Sequence, residues 1–134
     1  MKSVFSLSWI SSKNIRKQRK YRANAPTNVR HKFLVSPLSK ELAKKSGVKR
    51  LTVRKGDSVT ITRGQYKKKT GKVARVDYDR LKIFVEGIGR SKADGSVAQY
   101  PIDPSNVLIT EIVSDKKRIK GVKKDESPKT NSSA

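Results

Sequence analysis

Val59 and Ile61 alternate with Ser58, Thr60 and Thr62, the period of a strand with one face buried and one face wet. A turn precedes it at Gly56-Asp57, because glycine tolerates positive φ and aspartate bonds locally to its own backbone. Gly71 opens the next strand, which carries Val73 and Val76. Two apolar positions three apart break strict alternation, and this predicts a β-bulge near Ala74-Arg75. Asp77-Tyr78-Asp79-Arg80 reads as a hairpin turn, after which Leu81, Ile83 and Val85 alternate with Lys82, Phe84 and Glu86. Residues 87–95 (GIGRSKADG) read as a glycine-rich loop with Arg90 and Lys92 at its tip, and Val97 to Ile102 as a returning strand. Asp103-Pro104-Ser105-Asn106 predicts one turn of 3₁₀ helix, capped by Asp103 and started by Pro104. Val107 and Ile109 then close the sheet. About five short strands at turn-delimited spacing predict a mostly β fold, a small closed or nearly closed barrel over residues 51–112. Its predicted core is Val53, Val59, Ile61, Val73, Val76, Leu81, Ile83, Val85, Ile102, Val107 and Ile109.

Upstream, the period changes. Val29 to Val35 predict a short helix ended by Ser36-Pro37. Ser36 as N-cap and Pro37 at the first helical position predict a second helix from Pro37 to about Ser46, stopped by Gly47. Leu38 and Leu42 share one face of it, and with so few apolar residues it must dock on the barrel or on a partner. Asn24-Ala25-Pro26-Thr27 separates these helices from Lys13–Arg22, a stretch with six basic residues in ten. Such a run reads as a solvated tail, or as an arm that orders on a polyanion. From Asp115 the chain turns polar again. Ile119 and Val122 extend a contact with the domain, and the last ten residues are predicted to be disordered.

Charge sharpens that division. The 134 residues carry a formal net charge of +22, of which +13 lies in residues 1–50, +5 in residues 51–112 and +4 in residues 113–134. The middle reads as a globular domain, the first segment as a basic extension with short helices, and the last as a polar, partly disordered tail. Charge of this size repels itself in a compact monomer, and a polyanion relieves it: nucleic acid first, anionic lipid second. Without cysteine there is no disulfide, thiol nucleophile or thiolate metal site. No apolar run reaches membrane-spanning length. Serines at 3, 6 and 8 interrupt the apolar start too often for a signal peptide. A mitochondrial presequence and a basic RNA-binding arm share the composition of everything before Glu41, the first acidic residue. A third reading has Phe5, Leu7, Trp9 and Ile10 packing on a partner surface.

The chemistry concentrates between two strands. Arg63-Gly64-Gln65-Tyr66-Lys67-Lys68-Lys69-Thr70-Gly71 forms a loop with four positive charges and one aromatic ring. Cations serve phosphates and a flat ring serves a base or ribose; equally, the Tyr66 ring shields the barrel edge. Asp77 and Asp79 belong to a turn, which is the role short carboxylates take there in the absence of titratable partners. His31 is the only histidine, and alone it builds neither a zinc site nor a triad. No catalytic constellation, cofactor site or small-molecule site follows from these residues.

Val53–Val76 resembles the KOW motif, a strand-loop-strand element of SH3-like barrels in ribosomal proteins and transcription elongation factors. The match runs through Gly56-Asp57, Val59, Ile61, Arg63-Gly64-Gln65-Tyr66-Lys67, Gly71 and Val73. Four flanking stretches are similar to one family: Arg19 to Pro26, Arg30-His31-Lys32, Ser36-Pro37-Leu38-Ser39-Lys40-Glu41-Leu42 and Ile102-Asp103-Pro104-Ser105-Asn106-Val107. It is the universal large-subunit ribosomal protein twenty-four, twenty-six in eukaryotic naming, in its eukaryotic and archaeal branch. The resemblance covers about residues 13 to 120. It implies an SH3-like barrel with an RNA-bound N-terminal extension in the cytosolic large subunit, near the tunnel exit. Early entry into assembly and neighbouring ribosomal proteins as partners are implied with it. Met1–Ser12 is more apolar than the family pattern, and Asn106 stands where a lysine is common.

The RNA-binding residues expected from charge and resemblance together fall in three groups. The extension supplies Lys13, Arg16, Lys17, Arg19, Lys20 and Arg22, followed by Arg30, His31, Lys32 and Lys40. The first loop and its strand supply Arg63, Tyr66, Lys67, Lys68, Lys69 and Lys72, and the second loop Arg90 and Lys92. Two rival functions share the fold: a regulatory module of a transcription elongation factor, and an SH3-like peptide-binding adaptor. The first needs a companion domain that this length does not hold; the second needs an exposed aromatic groove, and aromatic residues here are dispersed.

Overall fold

The computed structural model describes residues 3–115, 118 and 119. After a 3₁₀ turn (Leu7–Ser11) come helices α1 (Ile15–Asn24) and α2 (Thr27–Phe33), strand β1 (Val35–Pro37), helix α3 (Lys40–Ser46) and strand β2 (Arg50–Thr52). Strands β3 (Ser58–Ile61), β4 (Thr70–Asp77), β5 (Lys82–Val85), β6 (Gly89–Ser91) and β7 (Val97–Gln99) follow, then a second 3₁₀ turn (Pro104–Asn106) and β8 (Val107–Glu111). They form three antiparallel sheets: β1 with β2, the order β5-β4-β3-β8, and β6 with β7.

The four-stranded sheet stays open, so of the closed or nearly closed barrel that was predicted, full closure is corrected. Its edge strands, β5 and β8, have four and five residues and do not pair with each other. Isolated bridges from Ile83 to Ile102 and from Leu38 to Ile109 continue the wrap at either edge without completing it. The alternation that predicted β3 holds, with Val59 and Ile61 in the core. The predicted bulge is also there, as a register shift between Val73 and Arg75. Because of it β4 turns a corner: Thr70 to Lys72 pair with β3, and Val73 to Asp77 with β5.

At that corner Gly71 has no room for a side chain. A Cβ there would lie 2.7 Å from Val85 Cγ1 and 2.8 Å from the Glu86 carbonyl oxygen. The carbonyl cannot rotate away as a side chain would. Gly71→Ala is therefore expected to destabilise the domain by about 1–3 kcal/mol. An unshifted urea midpoint would show that the corner is more tolerant than this contact allows.

Several expected positions differ. Val76 is only partly buried, at the margin of the core. Phe84 falls on the outward face by alternation, yet it is buried, with the Arg75 guanidinium 4.5 Å from its ring centroid. Ser36 caps no helix: it is buried in β1 and donates its hydroxyl to the Pro104 carbonyl at 2.5 Å. Pro37 ends that strand, and the helix starts three residues later, with Ser39 accepting from the Leu42 amide. Gly47, in the left-handed region at φ 69, stops it as predicted. Residues 87–95 are not a free loop, since β6 and β7 zip Gly89 to Gln99 and Ser91 to Val97. Asp103 sits at the predicted cap position but gives its carboxylate to Lys82 at 2.6 Å.

The N-terminal segment has a second, smaller core in which Phe5 and Phe33 pack on Tyr21, Ala25 and Val29. The ring centroids of Phe5 and Phe33 stand 5.0 and 6.0 Å from that of Tyr21. Arg30 ties this unit together and to the sheet. It donates to the Ala25 and Ala23 carbonyls at 2.8 and 2.9 Å and pairs with Asp79 on the β4–β5 turn. Met1, Val122 and the last ten residues lie outside the described residues, with the predictions made for them.

Candidate nucleic-acid interface

The basic residues of the extension are held on a helix. The Asn14 side chain accepts from the Arg16 amide at 2.9 Å and starts α1, while Tyr21 turns inward and anchors it. Lys13, Arg16, Lys17, Arg19 and Lys20 are all exposed. Arg22 lies over the Phe33 ring, 5.9 Å from its centroid. Lys32 and Lys40 are exposed, and exposed His31 meets Tyr78 in a tilted ring contact with centroids 4.4 Å apart. Arg30 differs from all of these, because its three guanidinium nitrogens already have partners inside the chain.

The loop between β3 and β4 is closed by its own backbone. The Ile61 amide donates to the Lys69 carbonyl at 2.9 Å, and the Lys68 amide to the Ile61 carbonyl at 2.8 Å. Lys68 adopts φ 70 within this turn. The loop is thus a fixed platform presenting Arg63, Lys67, Lys68 and Lys69, with Lys72 exposed on the adjoining strand. Tyr66 is partly buried against the core, and its hydroxyl donates to the Gly89 carbonyl at 3.2 Å. The ring thus packs along the edge of the sheet while part of it lines a cleft beside the loop. Arg90 is exposed on β6 rather than at a loop tip, and exposed Lys92 begins the β6–β7 turn, its amide donating to the Ser96 carbonyl.

Among the described residues, acidic groups leave all of these cations but Arg30 alone. The four ion pairs among the described residues join Arg30 to Asp79, Arg54 to Asp115, Lys82 to Asp103 and Arg118 to Asp57. Asp77 closes its turn by accepting from the Asp79 and Arg80 amides at 3.0 Å each. The Arg80 amide above all holds the Asp77 carboxyl below the ordinary carboxylate range. A carboxylate so committed is a turn device, and among the described residues no cluster of His, Asp and Glu is placed to hold a metal ion.

Reasoning from the sequence gave no binding role to Gln65 within the loop or to Tyr100 and Asn106 beside it. Tyr100 meets Tyr66 in a tilted ring contact, with centroids 5.2 Å apart. Its place in the chain, just before Pro101 at the end of a weak strand pattern, gave no sign of that neighbour. Gln65 and Asn106 carry no charge, so a search for cations passes over them.

A small antiparallel β protein with a helical basic extension and a fixed cationic loop belongs among the polyanion-binding modules. The family of eukaryotic ribosomal protein L26 and its archaeal L24 counterpart matches residues 12–125. The chain belongs to this family of ribosomal proteins, a structural and not an enzymatic one, of the large subunit. Among the described residues no helix is long and apolar enough to cross a membrane.

Proposed function

We propose that this chain binds large-subunit rRNA through phosphate and shape contacts, using an SH3-like KOW unit and its helical extension. The observation that carries this reading is the β3–β4 loop. Its backbone is locked, and Arg63, Lys67, Lys68 and Lys69 have no anionic partner among the described residues. A preorganised set of free cations loses little entropy on meeting phosphates. Most of the remaining sites are exposed lysines and arginines, five of them on α1, which suit the backbone of A-form RNA better than its base edges. The Gly56-Asp57 turn, the glycines at 64 and 71 and the short β3–β4 pair support the KOW assignment. Family membership supports early assembly near the tunnel exit of a cytosolic ribosome. Ultraviolet crosslinking of large subunits with residue-level readout tests the reading. Crosslinks are expected in α1 and in residues 63–72; their confinement to protein neighbours would overturn it.

A further inference from the structure

Beside the cationic loop lies a cleft of about 180 Å³ that phosphate binding alone does not explain. Tyr66, Tyr100 and Pro101 give it flat apolar walls, and Arg63, Gln65 and Asn106 stand among its lining residues. The two tyrosine rings are inclined at 57°, and Lys69 covers Tyr66, its ammonium 5.2 Å from the ring centroid. Tyr100 is 46% exposed, which leaves ring surface free. Lys82 and Asp103, also at the cleft, neutralise each other at 2.6 Å, which leaves Arg63 as the unpaired charge of its lining. The side chains of Gln65 and Asn106 make no hydrogen bond to any described residue.

The geometry points to a site for one unpaired nucleobase of an RNA strand. Resting on the RNA-binding reading, this names what the loop does besides neutralising phosphate. The exposed Tyr100 ring, with Pro101 beside it, offers a planar ring an apolar surface to rest on, and stacking of this kind tolerates any base. Primary amides carry a donor and an acceptor side by side, the pattern needed to meet a base edge. The adjacent cations hold the backbone of the same strand, so a base enters only where the RNA is unpaired. The space admits one base and not a base pair.

The test uses the full chain and two RNA hairpins of equal length and charge, one fully paired and one with a single bulged 2-aminopurine. The protein is expected to bind the bulged hairpin about tenfold more tightly or better, with a change in 2-aminopurine fluorescence. Tyr100→Ser and Gln65→Ala should each reduce that preference and leave binding to the paired hairpin unchanged, whereas Tyr100→Phe keeps it. Thermal melts of the variants establish that they fold, and Gln65, exposed in a loop, serves if Tyr100→Ser does not. Equal, salt-sensitive binding of both hairpins by the natural chain would overturn the base site and leave the phosphate reading standing. A preference that survives in folded Tyr100→Ser and in Gln65→Ala would also overturn it. Binding of neither hairpin would overturn both.

Discussion

Replacing Asp57 by alanine is expected to destabilise the protein by about 3–5 kcal/mol, as when one partner of a buried ion pair is removed. The carboxylate is fully buried, and the Arg118 guanidinium grips it with both terminal nitrogens, at 2.7 Å to Oδ1 and 2.6 Å to Oδ2. The amides of Arg54 and Val113 add donors at 2.9 and 3.3 Å. Arg118 also donates to the Thr52 carbonyl at 2.6 Å, so one contact fastens the end of the described chain to the β2–β3 connection. Alanine would strand that guanidinium, whose Nε already has no partner among the described residues. The loss is a large share of the roughly 5–15 kcal/mol that holds a domain of this size together. Removing both charges together, as Asp57→Ala with Arg118→Met, should recover most of the loss. Urea unfolding of the two variants decides the matter. If the single and double changes shift the midpoint equally, the pair is not what Asp57 serves.

That pair also shows where the sequence stops being informative. Gly56-Asp57 was legible as a turn, since the local bond from Asp57 to the Arg54 amide is the kind that aspartate makes in turns generally. Its partner lies 61 residues away, in a segment that reads as polar tail, and an ion pair has no periodicity to betray it. Strand β3 and the bulge in β4 were legible because one buried face imposes a spacing on successive residues. The start of α3 was not. Ser36 and Ser39 offer the same capping chemistry, and the choice falls to Ser39 because β1 is claimed by pairing with β2. The β6–β7 hairpin was hidden for a related reason: its strands have three residues each, and exposed Val97 gives no inward face to read. The helix expected over Val29 to Val35 is α2, two residues earlier at Thr27–Phe33, whereas a signal for α1 was present but unused. Tyr21, Ala25, Val29 and Phe33 recur every four residues, the spacing of a helical stripe, beneath a run of charge that drew the reading toward a solvated arm.

The same distinction between committed and free charge governs the second large effect. Affinity for a large-subunit rRNA fragment is expected to fall by about 10³–10⁵ between roughly 50 and 200 mM salt. With about ten phosphates engaged, log K should decline against log salt with a slope of roughly −7 to −9. Sequence alone ranks Arg16, Arg19, Lys20 and Arg30 together as cations. The structure separates them, because the first three are exposed on α1 with no anionic partner among the described residues, while Arg30 is occupied by Asp79 and two carbonyls. Joint replacement of Arg16, Arg19 and Lys20 by glutamine should flatten the slope by about 2–3 and leave the urea midpoint unchanged. Arg30→Gln should do the reverse, lowering the midpoint and sparing the slope, since the arginine fastens the helical unit to the β4–β5 turn. If Arg30→Gln flattens the slope as much per charge as the α1 replacements do, its internal partners do not keep it from RNA.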